Sequence, residues 1–220
     1  MSEPAGPENA FPELPAGAFA KLDAGDDADF YAQVRLVTHI DEAAIATLTG
    51  FYRQVLPVGG VLLDLMSSWV SHLPDDVAYA EVIGHGMNAM ELAANPRLTR
   101  RFVRDFNLDP TIPLADASVD AAMICVSIQY LQRPAAVLAE ARRVLKPGAP
   151  IVISFSNRCF PTKAVAVWRA LDGTGHARLV DIYLRRAGFA GTEIHRLLDG
   201  WTSDPLTVVV GRTLEADDGS

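Results

Sequence analysis

Residues 61–65 read Val-Leu-Leu-Asp-Leu, and this run limits what the chain can become. Pro57 and the pair Gly59-Gly60 precede it, and a polar turn follows, so the run has strand length with no helical continuation. Continuous apolar strands of this kind are buried on both faces, as in a parallel sheet. A carboxylate near the end of such a strand, Asp64, stands at the edge of an open α/β sheet where ligands collect. The turn that follows is Met66-Ser67-Ser68-Trp69 and holds no glycine, although close backbone approach to a ligand usually calls for one.

Strands and helices alternate along the rest of the chain. Apolar runs at 79–83, 121–128 and 150–155 read as further buried strands, and 101–105 reads as an edge strand. Helical spacing occupies 88–94, which Asn95-Pro96 stops, and 134–145, with Pro134 in its first turn and Lys146-Pro147-Gly148 at its end. Residues 162–171 and 177–188 read as helices, and 192–198 with 205–212 as a closing antiparallel pair. Upstream, 30–56 predicts two helical pieces. Phe30, Val34 and Val37 share one face of the first, and Asp41 caps the second. Residues 1–29 are rich in Ala, Pro, Gly, Asp and Glu, which predicts a flexible arm. Alternating strands and helices imply parallel βαβ units in a single domain over 30–220, with 30–56 as an N-terminal helical lid.

Charge and composition exclude several classes. The net charge of −8 across 220 residues argues against a nucleic-acid partner, because phosphate neutralisation needs clustered Lys and Arg. No apolar run reaches membrane-spanning length, and no basic stretch followed by an apolar one opens the chain, so neither a membrane nor a secretory signal is expected. Cys125 sits in an apolar run and Cys159 in a polar segment, which is no disulfide framework and makes a reducing cytoplasm the expected compartment. Among His, Cys and carboxylates no metal-ligand spacing occurs, so no metal is expected.

The element order, the tract from Leu114 through Asp116, Ser118 and Asp120 to Ala121, and the helix end from Ala139 to Lys146-Pro147-Gly148 together resemble class I S-adenosylmethionine-dependent methyltransferases, nearest the methyltransferase type 11 or UbiE-like group. The resemblance covers roughly residues 50–212. It implies an α/β, Rossmann-like fold: a seven-stranded, mostly parallel sheet with an antiparallel last strand and helices on both faces. It implies S-adenosyl-L-methionine as cofactor and a small-molecule substrate as methyl acceptor, with a homodimer left open.

Carried over residue by residue, the resemblance assigns cofactor contacts to Asp64, Ser67, Ser68, Gly86, Asn88, Asp105, Phe106 and Ser127. Asp64 and the two serines would face the methionine end, while Asp105 and Phe106 would face the adenine. Two positions depart from the pattern. The glycine loop is altered, and the strand-end acid that binds the ribose hydroxyls falls on Gly86. Asn88 can serve the ribose or cap a helix, and Glu91 lies deeper in that helix. His85 suits a ring lid or a surface turn, and His72 the cofactor or its own turn. Tyr130 and His39 are the catalytic candidates, the latter because imidazole titrates near neutrality. Tyr31, Arg35, Gln129, Asn157 and Arg158 are the substrate-side candidates, with a guanidinium fork suited to a carboxylate or phosphate. Each also has an ordinary structural reading. The two departures also support a rival class, a non-catalytic binding or regulatory module whose cleft is filled by Trp69 and Met87. A nicotinamide oxidoreductase is disfavoured, since no G-x-G-x-x-G follows the first strand.

Overall fold

The computed structural model describes residues 10–215. Seven strands form one sheet: β1 (Val61–Leu65), β2 (Glu81–Gly86), β3 (Arg100–Val103), β4 (Ala121–Cys125), β5 (Pro150–Phe155), β6 (Ala190–Leu198) and β7 (Leu206–Arg212). Their order is β3-β2-β1-β4-β5-β7-β6. β1 to β5 pair in parallel, and β7 runs antiparallel to both β5 and β6. The chain winds from β1 outward through β2 to β3, then returns to β4 on the other side of β1. The gap between the carboxyl ends of β1 and β4 is therefore the switch point, where an open α/β sheet offers a crevice.

Among the described residues the sheet is accompanied by α1 (Asp27–Tyr31), α2 (Glu42–Val55), α3 (Ala89–Ala94), α4 (Pro134–Val144), α5 (Ala166–Arg169) and α6 (Gly173–Arg186). Two apolar clusters pack against the sheet. The larger joins Leu63, Leu65 and Ile124 to Val137, Leu138, Val180 and Tyr183, and the smaller joins Leu62, Met123 and Val152 to Leu48 and Tyr52. Alternate residues of one strand thus feed opposite layers, as a sheet covered on both faces requires. The two tracts that carried the family resemblance meet in space. Asp120 accepts the Val61 N–H with Oδ2 at 2.8 Å and takes the Lys146 ammonium on Oδ1 at 2.6 Å. One carboxylate thereby joins the start of β1 to the end of α4, where Gly148 turns the chain at φ 72°.

Two expectations upstream need correction. Residues 1–9 of the predicted flexible arm lie outside the described residues, but 10–29 pack on the domain. Phe11 and Phe19 are buried, with ring centroids 5.2 and 6.1 Å from Tyr183. Ala166 and Val167 donate backbone hydrogen bonds to Ala20 and Ala18. The first helical piece of the lid ends at Tyr31, and 32–40 is irregular chain with Val34 and Val37 exposed. The Ala32 and Val37 carbonyls and the Arg35 N–H bond the side chains of Asn88, Trp69 and Glu91, which satisfies these groups without a helical ladder. The second piece is α2, capped by Asp41 as expected.

Candidate functional site

A slot opens at the carboxyl ends of β1, β2 and β4, with a volume of about 1120 Å³ counted out to its solvent mouth. Its walls hold most of the expected residues: Asp64, Ser67, Ser68, Gly86, Asn88, Asp105, Phe106, Ser127, Tyr31, Arg35, His39 and Tyr130 all line it. His72, His85, Glu91, Arg104, Asn107 and Phe160 line it too.

Asp64 is buried at the end of β1. Its Oδ2 accepts hydroxyl hydrogen bonds from Ser67 and Ser71, both at 2.6 Å. Burial outweighs these donors and pushes its carboxyl up to about 7. The glycine-free loop nevertheless keeps a glycine-like path. Met66 sits at φ 55°, its N–H bonded to His85 Nδ1 at 3.1 Å. His72 and Val126, at φ 53° and 44°, also line the slot. Left-handed backbone is costly for such residues, more so for a β-branched one, and strain of this kind gathers at functional sites.

His85 is neither a lid nor a surface group. It is buried, stacks on Phe106 at 3.7 Å and lies 2.9 Å from the Arg104 carbonyl through Nε2. Accepting at Nδ1 from Met66 fixes the ring proton on Nε2, which donates to that carbonyl. Burial drives its pKa down to about 4, so it is neutral. Phe106 packs inward on this ring. Asp105 accepts the Asn107 N–H at 2.8 Å, and burial, aided by Asp27, raises its pKa.

Asn88 caps α3, accepting from the Met90 and Glu91 N–H groups, and its amide nitrogen donates to the Tyr31 and Ala32 carbonyls. Its polar atoms are thus committed to structure. Trp69 and Met87 line the slot, and the Trp69 indole N–H donates to the Val37 carbonyl at 3.0 Å. Glu91 takes the Arg35 N–H on Oε1 and the Ser68 hydroxyl on Oε2, each at 2.7 Å. Asn88, Trp69 and Glu91 together strap residues 31–37 across the site.

At the far end stand aromatic and imidazole groups. Tyr130 stacks on Phe160 with centroids 5.9 Å apart, and its hydroxyl oxygen accepts the Phe160 N–H at 2.9 Å. Burial pushes the Tyr130 phenol up to about 12 and also raises Tyr31. His39 meets Phe160 edge-on at 5.5 Å, and burial lowers its pKa. His72 is pushed down to about 4 by burial and by His39. Arg35 donates to the Gln33 and Phe30 carbonyls and lies 4.7 Å from the Phe30 ring centroid.

Three expected substrate residues are not in the slot. Gln129 is buried beneath it and donates to the Val126 carbonyl at 2.8 Å. Arg158 pairs with Asp204 at 2.9 Å, and Asp204 in turn accepts the Asp41 N–H, so this guanidinium braces the start of α2. Asn157 lines a second depression beside Trp168 and His176. Cys125 and Cys159 are free thiols, both with raised pKa values through burial. Among the described residues no His, Cys and carboxylate cluster has the makings of a metal site, and no helix is long and apolar enough to cross a membrane.

One polar atom in the wall marks a ligand position. Ser127 is buried at the end of β4, and its hydroxyl has no protein partner. Buried polar groups are rarely left so, and one that lines a slot is poised to bond what enters it.

Residues 68–153 match the family model described as a methyltransferase domain. A malonyl-[acyl-carrier protein] O-methyltransferase of Methylococcus capsulatus is 33% identical over 84 residues, 36% of this chain and 30% of that protein. An uncharacterized 37.1 kDa protein in transposon TN4556 of Streptomyces fradiae is 49% identical over 104 residues, 46% of this chain and 29% of that protein. The matched region thus spans under a third of the length of these relatives. Among solved structures, a putative methyltransferase complex with the Haloferax volcanii Trm112 activator aligns at TM-score 0.61 and 15% identity, covering 79% of this chain and 92% of that one. The [4+2]-cyclase SpnF aligns at 0.57 and 16%, covering 77% and 81%. A methyltransferase of Archaeoglobus fulgidus aligns at 0.57 and 14%, covering 77% and 94%. At these identities the structures speak for the fold alone. Sheet order and slot position agree with the class I methyltransferase fold of these structures, and residues 68–153 are similar to a methyltransferase domain.

Proposed function

We propose that this protein transfers a methyl group from S-adenosyl-L-methionine to a small-molecule acceptor. The observation that carries the proposal is a single slot at the β1/β4 switch point that holds Asp64, Asp105 and the partnerless Ser127 hydroxyl in one wall system. The donors and acceptors of the slot suit an extended zwitterion with a nucleoside end.

When bound, the cofactor supplies an electrophilic methyl on a sulfonium. The protein's own residues do the rest by placement, which is where much of the rate in such transfers arises. Asp105 would offer an acceptor to an exocyclic amine of the bound cofactor, Asp64 would face its ammonium, and Ser127 would supply a hydroxyl to it. Tyr130 stays protonated near neutrality, so it orients an acceptor through its phenol and removes no proton. His39 is kept neutral by burial and is the group able to take a proton from an acceptor as the methyl arrives. The aromatic wall of Tyr31, Tyr130 and Phe160 suits a flat or apolar acceptor. Arg35 is occupied by carbonyls, which disfavours a strongly anionic one.

The non-catalytic alternative draws on the altered loop and the missing ribose acid. A slot lined by Asp64, Asp105 and the Ser127 hydroxyl opposes it. Calorimetric titration with S-adenosylhomocysteine decides between them. We expect micromolar binding to the wild type and its loss in Asp105→Ala. Folded wild-type protein that gives no heat would refute the cofactor reading and favour the binding module.

A further inference from the structure

A bound nucleoside brings two neighbouring ribose hydroxyls, and in a mostly apolar slot each needs an acceptor, since an unpartnered buried hydroxyl is costly. The strand-end position that would supply an acid is Gly86, and no side chain fits there. A Cβ on Gly86 would lie 2.5 Å from the Ser67 carbonyl oxygen and 3.1 Å from Leu92 Cδ2. That carbonyl cannot easily retreat, because the Ser67 N–H is itself bonded to the His85 carbonyl at 2.6 Å. The amide of Asn88 is fully used by the α3 cap and the strap.

Glu91 remains. It lines the slot from the first turn of α3, five residues beyond Gly86, and is half-buried. Its two oxygens are fixed from opposite sides, Oε1 by the Arg35 N–H of the strap and Oε2 by the Ser68 hydroxyl of the loop, each at 2.7 Å. An ionised carboxylate accepts about four hydrogen bonds, so each oxygen keeps a lone pair for another donor. A carboxylate pinned by two donors and lining a ligand slot is an acceptor pair organised in advance of binding. We propose that Glu91 holds the two ribose hydroxyls of the cofactor, in place of the acid that Gly86 cannot carry. This inference rests on the cofactor reading above. It also gives the strap a role: the carboxylate that receives the ribose is the one that anchors Arg35 over it.

The test is a cycle of binding measurements on the intact chain, with S-adenosylhomocysteine and its 2′-deoxy and 3′-deoxy analogues, for wild type and Glu91→Gln. Gln keeps the shape and an acceptor for the Arg35 N–H but removes the charge. Hydrogen bonds to a charged acceptor are about twice as strong as neutral ones, so loss of one hydroxyl should weaken wild-type binding about 10- to 100-fold. In Glu91→Gln the same deletion should matter less than about 3-fold. A purely structural Glu91 would weaken all three ligands equally and leave the hydroxyl ratio at its wild-type value, which would overturn the inference while leaving the cofactor reading intact. Wild-type protein that binds S-adenosylhomocysteine but ignores both hydroxyls would overturn it too. Folded wild-type protein that binds none of the three would overturn the cofactor reading and this inference together. Should Glu91→Gln lack a cooperative melt, Glu91→Asp withdraws the carboxylate by one methylene and is judged by the same ratio.

Discussion

Asp64 can be tested through stability alone, without any ligand. Its carboxyl titrates near 3.8 in an unfolded chain and is pushed up to about 7 by burial in the fold. Between these values the native state binds more protons than the unfolded one, so this carboxyl lowers stability as pH rises through the window, by an amount that is constant above it. Each pKa unit is worth 1.36 kcal/mol, so the full penalty is about 4 kcal/mol, with about 1.7 already present at pH 5. Asp64→Asn removes the titration and keeps an oxygen able to accept from Ser67 and Ser71, the two hydroxyls now 2.6 Å from Oδ2. From pH 5 to pH 8 the wild type should therefore lose about 2.5 kcal/mol more stability than the variant. For a domain of this size that is roughly 5–10 °C in Tm. Urea unfolding at both pH values reads it, and taking the difference between the two proteins cancels every other titrating group they share. Parallel pH profiles would refute the burial of a charged carboxylate at this position. The same variant should bind S-adenosylhomocysteine more weakly than wild type at pH 8, so the group that destabilises the fold is the one the ligand needs.

Two further outcomes follow from the geometry. Lys163 is buried, with its ammonium 3.1 Å from both Asp23 and Asp27 and donating to the Gly25 carbonyl at 3.0 Å. Burial works against the charge of Asp27, but Lys21, Lys163 and Asn107 together outweigh it and hold the carboxyl below its usual value. Lys163→Met should cost about 3 kcal/mol, since removing one partner strands a buried charge, and should lower Tm by roughly 6–12 °C in calorimetry; an unchanged Tm would show that Lys21 and Asn107 suffice. Gly86→Asp, which restores the family's acid by sequence, should cost about 1–3 kcal/mol by overpacking against the Ser67 carbonyl and should not rescue binding in Glu91→Gln; tighter S-adenosylhomocysteine binding in the double variant would contradict the steric account.

The buried strands were legible because a parallel sheet demands continuous apolar runs, and 61–65, 121–125 and 150–155 supply them. Periodicity failed at 30–37 because it takes no account of partners. Phe30, Val34 and Val37 have helical spacing, yet Phe30 packs on Phe160 while the other two are exposed. Composition failed at 10–29 for a related reason. Two phenylalanines packed on Tyr183, backbone bonds to Ala18 and Ala20, and the Lys163 ammonium hold a Pro- and Ala-rich segment, and an average over the segment hides them. Within the site, strand-end residues such as Asp64 and Asp105 could be placed by counting from a strand. Glu91 and Asn107 could not. Glu91 meets the backbone of Arg35, 56 residues away, and Asn107 bonds Asp27, 80 residues away, and no local pattern encodes either pair.

The altered loop shows what a glycine signature reports. A glycine-rich turn is a statement about backbone torsion, because glycine reaches positive φ without a steric penalty. Met66 occupies that torsion at φ 55° regardless, with its N–H held by a buried imidazole that is in turn bonded to the Arg104 carbonyl. The conformation costs of order 1–3 kcal/mol and persists because its surroundings over-determine it. The side chains glycine would lack are then put to use: Ser67 and Ser71 on Asp64, Ser68 on Glu91, Trp69 on the strap. Random decay of a glycine loop would relax the torsion and scatter the side chains. Here Met66 holds a positive φ and the side chains near the turn bond the slot or its cover.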